Sequence, residues 1–502
     1  MAAKRARKRT RSQPAFKSSS IISELDLDLT IDDISVEDKR RPRQDSNSSS
    51  GKRTINGETA DLSGGQISEV TISMYGLALI ARKLEVRLAR NPHDGGRRRE
   101  CKVLDVLLVS IMSWTFGSTR AACRHFKDKR NWRRCRAALR RAYPGLDEDL
   151  SKRAPSRGQV SRLLKRISEE PELELVRDAV QQMAVTAAQF IGIFDQAAKF
   201  SSPSKQSCIT GDGTDLKKLR GDKHFECVLV SARNEHPGER VVLGSDVLAP
   251  PRTKERKAEA TTATDMVLKI KKTLDSQSGG LFGFVYDMAL HSADFDRCLS
   301  AGIIAISKVQ RTSAGQYAAL NIGKCKFRLA DGTRHPMPVI AIDGAPTIAI
   351  AEASGTTYYA KLDRIKTVRK ERANDIVIWG HWAVPSIQGV PAKLWGAIVL
   401  LQHNSTKDDI AKGKPRTRAL RPIPESDPYF DEIFGLRPDI ESTNNHMKSR
   451  LPGRRAKHLD TNRVKLDLIM YQLHTIVTAL INYHKRTSAD LSGWIGKHKI
   501  DL

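Results

Sequence analysis

Acidic side chains on a basic background are the residues of this 502-residue chain most able to do chemistry, and Glu441 is the clearest of them. Glu441 lies in F-G-L-R-P-D-I-E-S-T-N-N-H-M-K, from Phe434 to Lys448, and Pro438 there suits the first turn of a helix. On that helix Glu441 and Lys448 lie two turns apart and share a polar ridge. A solvated helix face is the ordinary explanation of such a ridge, and this segment alone favours it.

Two upstream aspartates follow predicted strands. Asp212 ends the predicted strand 206–212 in G-D-G-T, and Asp287 ends the predicted strand 281–287 in V-Y-D-M-A-L. The surrounding pattern is three meandering strands, a helix, a strand, a helix and a strand, which predicts one mixed sheet with helices on its faces. We expect the two aspartates at one edge of that sheet, with Glu441 reaching them from its helix. Three carboxylates suit two divalent metal ions, which support in-line displacement at phosphorus.

Each of these acids also has a simpler explanation. G-D-G is a common turn string, and Asp287 would cap the helix predicted after it. Four other aspartates are rivals, two beside Asp212 and two inside the predicted helix 292–301: Asp215, Asp222, Asp294 and Asp296. Taken singly these explanations compete with catalysis, whereas the agreement of element order and spacing favours the catalytic interpretation.

The charge balance points to a polyanionic partner. Lys and Arg total 85 against 57 Asp and Glu, a net charge of +28. Such a surplus is typical of proteins that bind nucleic acid or membrane surfaces. We find no run of about 18 apolar residues, so we expect no membrane partner and favour nucleic acid. The seven scattered cysteines include no C-x-x-C pair, which predicts free thiols in place of disulfides or a zinc site.

The pattern predicts an α/β chain with several parts. The predicted parts are a disordered tail at 1–65, an all-α DNA-binding domain at 66–200, an α/β catalytic domain at 201–310 and 413–485, a β-rich insertion at 311–412, and a tail at 486–502. The segment 398–401 could instead return to the main sheet.

The predicted helical domain carries a basic surface. A helix break at 116–118 is compatible with helix-turn-helix geometry and equally with an ordinary helical hairpin. The weaker candidates for DNA contact there are Arg120, Arg124, Arg133 and Arg134. Trp132, among these arginines, could stack on a base or pack inward.

Taken together, the motifs resemble those of a known family. They are D-G-T at 212–214, Y-D at 286–287 with the helix and the G-I-I-A-I-S-K strand that follow, and aromatic-x2-Arg-x3-Glu-x6-Lys at 434–448. This set resembles the DDE transposases of bacterial insertion sequences that carry a Tyr-Arg-Glu-Lys signature, although Phe434 replaces the tyrosine. The resemblance implies an RNase H-like fold with a β insertion before the last acid. It also implies that Asp212, Asp287 and Glu441 are the catalytic, metal-binding acids, holding two Mg or Mn ions.

The resemblance further implies the partner and the reaction. Double-stranded DNA would be cut at element ends and joined to a target through its 3′-hydroxyl, by a protein acting as a homodimer in the DNA complex, in the nucleoid of a bacterial cytoplasm. The expected DNA-binding residues around the last acid are Arg437, Asn444, Lys448, Arg450, Arg454 and Arg455. Two alternatives are an inactive DNA-binding protein derived from a transposase and an RNase H-like nuclease without strand transfer.

Overall fold

A computed structural model describes most of the chain beyond the first 74 residues. The described residues are 75–89, 101–142, 149–194, 204–221, 223–251, 253–254, 256–276, 280–309, 319–351, 357–372, 375–489 and 491. All of them belong to one structural unit, Thr54–Leu502. The predicted tail at 1–65 and residues 492–502 lie outside the described residues. The predicted α/β class is confirmed.

The first described region is helical. Its helices are α1 (Tyr75–Arg87), α2 (Val103–Thr115), α3 (Thr119–Lys127), α4 (Lys129–Ala142), α5 (Arg157–Ile167) and α6 (Glu172–Phe190). Helix α2 is buried along almost its whole length because V-L-D-V-L-L-V-S-I-M-S-W offers no polar face. Its one acid, Asp105, accepts the backbone N–H of Lys102 at 2.7 Å and of Ser151 at 2.9 Å, so this buried carboxylate is satisfied. This polar contact ties the start of α2 to the segment that precedes α5.

The first sheet has five strands in the order β3-β2-β1-β4-β5. They are β1 (Cys208–Lys217), β2 (His224–Arg233), β3 (Arg240–Val247), β4 (Gly283–Val285) and β5 (Ile304–Ile306). β1, β2 and β3 form an antiparallel meander. β4 pairs with β1 in parallel, and β5 pairs with β4 in parallel. The parallel connections run through α7 (Glu259–Ser276) and α8 (Ser292–Ser300). This is the mixed sheet that the sequence pattern predicts.

Helices cover this sheet on both faces and along one edge. α7 packs on β1, β2 and β3, and α11 (Arg437–Arg450) packs on β1 and β2. The long helix α12 (Thr461–Thr487) lies against β3, where Thr475 accepts the N–H of Val242 at 3.1 Å. Gln472 of α12 donates to the carbonyl of Leu243 at 2.9 Å. These bonds satisfy backbone groups of a strand at the edge of the sheet.

The second sheet has seven strands and lies between β5 and α11 in the sequence. The strands are β6 (Leu320–Arg328), β7 (Arg334–Ile342), β8 (Ala345–Ala351), β9 (Thr357–Lys361), β10 (Asp363–Arg372), β11 (Asp375–Ala383) and β12 (Ile398–Gln402). Their order is β10-β11-β12-β6-β7-β8-β9, antiparallel throughout. The suggestion that 398–401 returns to the first sheet is wrong, because β12 pairs with β11 and β6. Two short helices, α9 (Lys407–Ala411) and α10 (Pro428–Phe434), lead to α11.

Helix α12 is long and apolar enough to cross a membrane by length and composition alone. However, 83% of its most apolar window is buried inside the protein, as in the core helix of a soluble domain. Polar residues interrupt the apolar sequence of this helix, so it contains no long uninterrupted apolar run. Five of the seven cysteines are buried.

Candidate active site

The register of the first sheet brings the two predicted aspartates together. Thr210 of β1 lies beside Val285 of β4 at the end of their parallel pairing. Asp212 lies two residues after Thr210 and Asp287 lies two residues after Val285, so the two aspartates lie at the same level, just beyond the end of this pairing. The prediction that Asp212 ends its strand is wrong, because β1 continues to Lys217 in antiparallel pairing with β2. Asp212 marks instead the point where the parallel neighbour of β1 ends.

Helix α11 brings a third acid and an amide to this point. Its buried side chains include Ile440, Asn444 and Met447, which orient the helix on β1 and β2. The amide of Asn444 donates from Nδ2 to Oδ2 of Asp212 at 3.0 Å. Glu441, almost one turn before Asn444, is half-buried and accepts from the guanidinium of Arg437. The helix therefore contributes one acid and one direct contact to the aspartate of β1.

The electrostatics of Asp212 show that the acids act on one another. Burial raises the pKa of the Asp212 carboxyl, and the nearby charges of Glu259, Asp287 and Glu441 raise it further. Arg437 opposes them, and the resulting pKa is about 6 instead of 3.8. Burial is the largest cause of this raised pKa, and the three neighbouring acids add to it. Perturbed groups of this kind cluster at functional sites.

The arrangement satisfies some requirements of a metal site and lacks one. In the part of the chain that the structure describes, no three His, Cys, Asp or Glu side chains lie close enough to hold one metal ion. Glu441 is paired with Arg437 instead. On the other hand, Oδ1 of the buried Asn444 has no hydrogen-bond partner among the described residues, and it belongs to the amide that contacts Asp212. Carboxylate and amide oxygens are the donors that Mg²⁺ and Mn²⁺ prefer, so the donor set fits these ions once Glu441 leaves Arg437.

Glu259, at the start of α7, is a further acid near Asp212 that the sequence did not single out, and its charge raises the pKa of Asp212. The hydroxyl of the buried Tyr286 donates to Oε1 of Glu259 at 2.6 Å. The Glu259 carboxylate fills the space where a Cβ on Gly213 would stand, about 1.8 Å from that position. A Cβ on Gly211 would likewise lie 2.9 Å from the ring of Phe284. The glycines of G-D-G therefore make room for protein side chains on the α7 face.

The structure also shows what the rival aspartates do. The carboxylate of Asp294 is buried and accepts from Thr261 at 3.0 Å and from Arg297 at 3.2 Å. Asp296 accepts the N–H of Ser405 at 2.7 Å. The hydrogen bonds of Asp294 and Asp296 thus connect α8 to α7 and to the segment before α9. Asp215 is exposed and three residues from Asp212, hence on the opposite face of β1, and Asp222 lies outside the described residues.

Asp287 caps a turn and not the helix that follows it. Its Oδ1 accepts the N–H of Ala289 at 2.8 Å, whereas α8 starts at Ser292 with His291 in the capping position. The capping explanation for Asp287 is thus wrong as stated.

The basic residues predicted to bind DNA fall into two groups. Lys448 is half-buried and Arg454 is exposed, and neither makes an ion pair among the described residues. In contrast, Arg455 donates to the carbonyls of Lys218 and Gly221 at 3.0 Å each. Arg450 donates to the ring of His446 at 3.3 Å. Arg450 and Arg455 therefore support the protein, while Lys448 and Arg454 are the better candidates for phosphate contacts.

The arginines predicted for the helical region are all exposed. They lie on α3 and α4: Arg120, Arg124, Arg133 and Arg134. Trp132 packs inward, because its side chain is buried and its Nε1 donates to the carbonyl of Ser151 at 2.8 Å. Base stacking by this tryptophan is therefore excluded in this arrangement.

Comparison with known proteins adds no identification: no protein-family model matches the chain, and no curated protein matches its sequence.

Proposed function

We propose that this chain is a DNA transposase of the DDE type, which cuts DNA at element ends and transfers the 3′ end to a target. The observation that carries the proposal is the surroundings of Asp212: Asp287 follows the strand that pairs with β1 in parallel, and Glu441 lies on α11, which packs on β1 and β2. The charges of Asp287 and Glu441 both raise the pKa of Asp212, which supports a shared site. The excess of positive charge supports a nucleic acid as the substrate.

The topology supports an RNase H-like catalytic domain. An antiparallel meander followed by two parallel strands, in the order β3-β2-β1-β4-β5, is the arrangement expected of that fold. The seven-stranded sheet between β5 and α11 corresponds to the insertion expected before the last acid. In this proposal the helical region at 75–190 contributes DNA contacts through its exposed arginines.

The residues of the site would act by holding and orienting. Asp212, Asp287 and Glu441 would hold divalent ions, with Asn444 fixing the orientation of Asp212. Two such ions would activate the attacking oxygen and stabilise the leaving oxygen at phosphorus. Arg437 lies where a DNA phosphate could replace the Glu441 carboxylate as its partner, which would free Glu441 for the site. Water would be the nucleophile for nicking, and the freed 3′-hydroxyl the nucleophile for joining.

The test uses duplex DNA that carries the inverted repeats flanking the gene, with Mg²⁺ or Mn²⁺. We expect Glu441→Gln to bind this DNA as well as the original protein does and to lose cleavage by at least about 1000-fold, because an ion ligand is lost while the shape is kept. Glu432→Gln, an exposed glutamate on α10, is the matched control and should cleave normally. Cleavage that persists in Glu441→Gln would place the chemistry elsewhere.

A second candidate is a DNA-binding protein derived from a transposase that no longer cuts. The ion pair between Arg437 and Glu441 favours it, because that contact keeps the third acid from the aspartates. The same experiment separates the two candidates: this one predicts binding without metal-dependent cleavage by the original protein.

A further inference from the structure

The second sheet has two faces that differ in their surroundings. One face of β11 carries Ile376 and Ile378, which pack against Phe282, Leu299 and Phe430 near the first sheet. Further along the same face, the sheet has its own buried cluster: Trp382, Val399, Leu401 and Phe327 are members. This inner face is therefore covered by protein. Because side chains alternate along a strand, the residues between these positions lie on the outer face.

The strand register defines which residues share the outer face. Lys366 of β10 lies opposite His381 of β11, which lies opposite Leu400 of β12. Two residues from Leu400, Ile398 lies opposite Arg328 of β6. Arg328 in turn lies opposite Arg334 of β7. Directly opposed residues point to the same side of a sheet, so this face is continuous across five strands.

The outer face is strongly basic. Its exposed Lys and Arg side chains are Lys324, Lys326, Arg328, Arg334, Lys366, Lys370 and Arg372. The cations of this sheet that do form ion pairs with described residues are others, Lys361 with Asp343 and Arg364 with Asp427. The effect of the exposed lysines is felt locally, since burial and then Lys366 and Lys370 lower the pKa of His381.

Acidic residues on this face lie only at strand ends among the described residues. Asp363 opposes Ala383 at the start of β10, and Asp375 opposes Arg372 at the start of β11. The centre of the face contains exposed apolar groups instead, with Leu400 45% exposed. Cations that form no ion pair with described residues, spread over an open surface, are suited to a polyanion and poorly suited to a second copy of the same basic chain.

We propose that this outer face binds the backbone of double-stranded DNA without sequence preference, as a surface separate from the three acids. The outward side chains along β6 are about 6.8 Å apart, and they belong to Lys324, Lys326 and Arg328. Phosphates of one DNA strand are spaced about 3.4 Å along the axis, so this interval matches every second phosphate. The distance from β10 to β7 is about 19 Å across four strand spacings, which exceeds the roughly 12 Å width of a major groove, so cations can reach both of its backbones. Lysine ammonium groups act as point charges, and phosphate contacts of this kind position DNA without reading its sequence.

The test measures binding of the full-length protein to a random-sequence duplex in EDTA, so that cleavage plays no part. We expect the triple variant Lys326→Glu, Lys366→Glu, Lys370→Glu to weaken binding at least about 10-fold at low salt and to lower the slope of log K against log salt by about 2 to 3. The milder triple variant with glutamine at the same positions should show the same change to a smaller degree. Circular dichroism and thermal melting verify that each variant is folded.

The control makes the same change in net charge elsewhere. Lys205, Lys272 and Lys407 are exposed and lie outside this face, and their replacement by glutamate should change binding less than about threefold. Equal losses in the two triple variants would reduce the effect to net charge and overturn the proposal. Unchanged DNA binding by both the glutamate and the glutamine triple variants of Lys326, Lys366 and Lys370 would also overturn the proposal. The face would then be expected to bind an acidic protein. Because EDTA excludes metal-dependent cleavage from this assay, failure of this proposal is distinguishable from failure of the proposed chemistry.

Discussion

The two sheets of this protein place charge in opposite ways. The first sheet is covered by α7, α11 and α12, and it gathers acids at the end of a parallel pairing, where burial and mutual repulsion raise the pKa of Asp212 to about 6. The second sheet is covered on one face only and spreads exposed cations over the other. A site that does chemistry needs fixed groups in a partly dehydrated place, whereas a surface that holds a polyanion needs many accessible charges and little fixed geometry. The difference predicts that single substitutions matter greatly in the first sheet and little in the second.

Among the substitutions that test this difference between the sheets, we expect the largest change in cleavage rate at Asn444. Asn444→Ala removes the donor to Asp212 and an unpaired amide oxygen, so metal-dependent cleavage should fall about 10- to 100-fold, as for other groups that orient metal ligands. Asn445→Ala is the matched control, because Asn445 is the next residue on α11 and is exposed. The measurement is the cleavage rate as a function of metal concentration. Equal rates for the two alanine variants would remove Asn444 from the site.

A smaller effect, of opposite sign for two aspartates, is expected in stability. Asp212→Asn should stabilise the fold at pH 7 by about 1 to 3 kcal/mol, because it removes a carboxylate whose pKa folding raises from 3.8 to about 6. A group with a raised pKa binds more protons in the folded state, so the original protein loses stability as the pH rises from about 4 through about 6. The advantage of the variant should therefore vanish below about pH 4.

Asp294→Asn provides the contrast for that experiment. Its buried carboxylate has donors from Thr261 and Arg297, so its loss should destabilise the protein by about 1 to 3 kcal/mol. Urea denaturation at pH 4, 5, 6 and 7 measures both variants. Destabilisation by Asp212→Asn at pH 7 would contradict a raised pKa of Asp212 in the folded protein.

The smallest effect is expected on the α7 side of β1. Tyr286→Phe removes the hydroxyl that donates to Glu259 and should destabilise the protein by about 1 kcal/mol. Cleavage should change less than in Asn444→Ala, because Tyr286 contacts Glu259 and not Asp212. Tyr429→Phe, at an exposed tyrosine, is the control for stability. A loss of cleavage larger than that of Asn444→Ala would move the centre of the site towards Glu259.

The sequence pattern predicted the order of the strands and helices. It did not predict features that depend on contacts between distant residues. The order of strands and helices around Asp212 and Asp287 followed from alternating and helical periods, because these periods reflect burial. The extent of β1 was missed because G-D-G reads as a turn, while pairing with β2 continues through it. Glu259 was missed because an acid in a first helical turn is common, and only the packing of α7 on β1 reveals where it lies.

The same limit applies to the basic residues. Arg450, Arg454 and Arg455 are equivalent as charges, and the sequence predicted one role for them. The structure separates them because Arg455 meets two backbone carbonyls and Arg450 meets His446, while Arg454 is exposed. Hydrogen bonds to distant parts of the chain depend on the fold, and composition does not encode them.

The central claim is that Asp212, Asp287 and Glu441 bind divalent metal together, and calorimetric titration with Mn²⁺ tests it most directly. The account predicts that the full-length protein binds Mn²⁺, that Mg²⁺ competes, and that Asp212→Asn and Asp287→Asn each lose the binding while Asp296→Asn retains it. The account would be contradicted if the original protein failed to bind Mn²⁺ in the presence of DNA. It would also be contradicted if both aspartate variants still bound Mn²⁺.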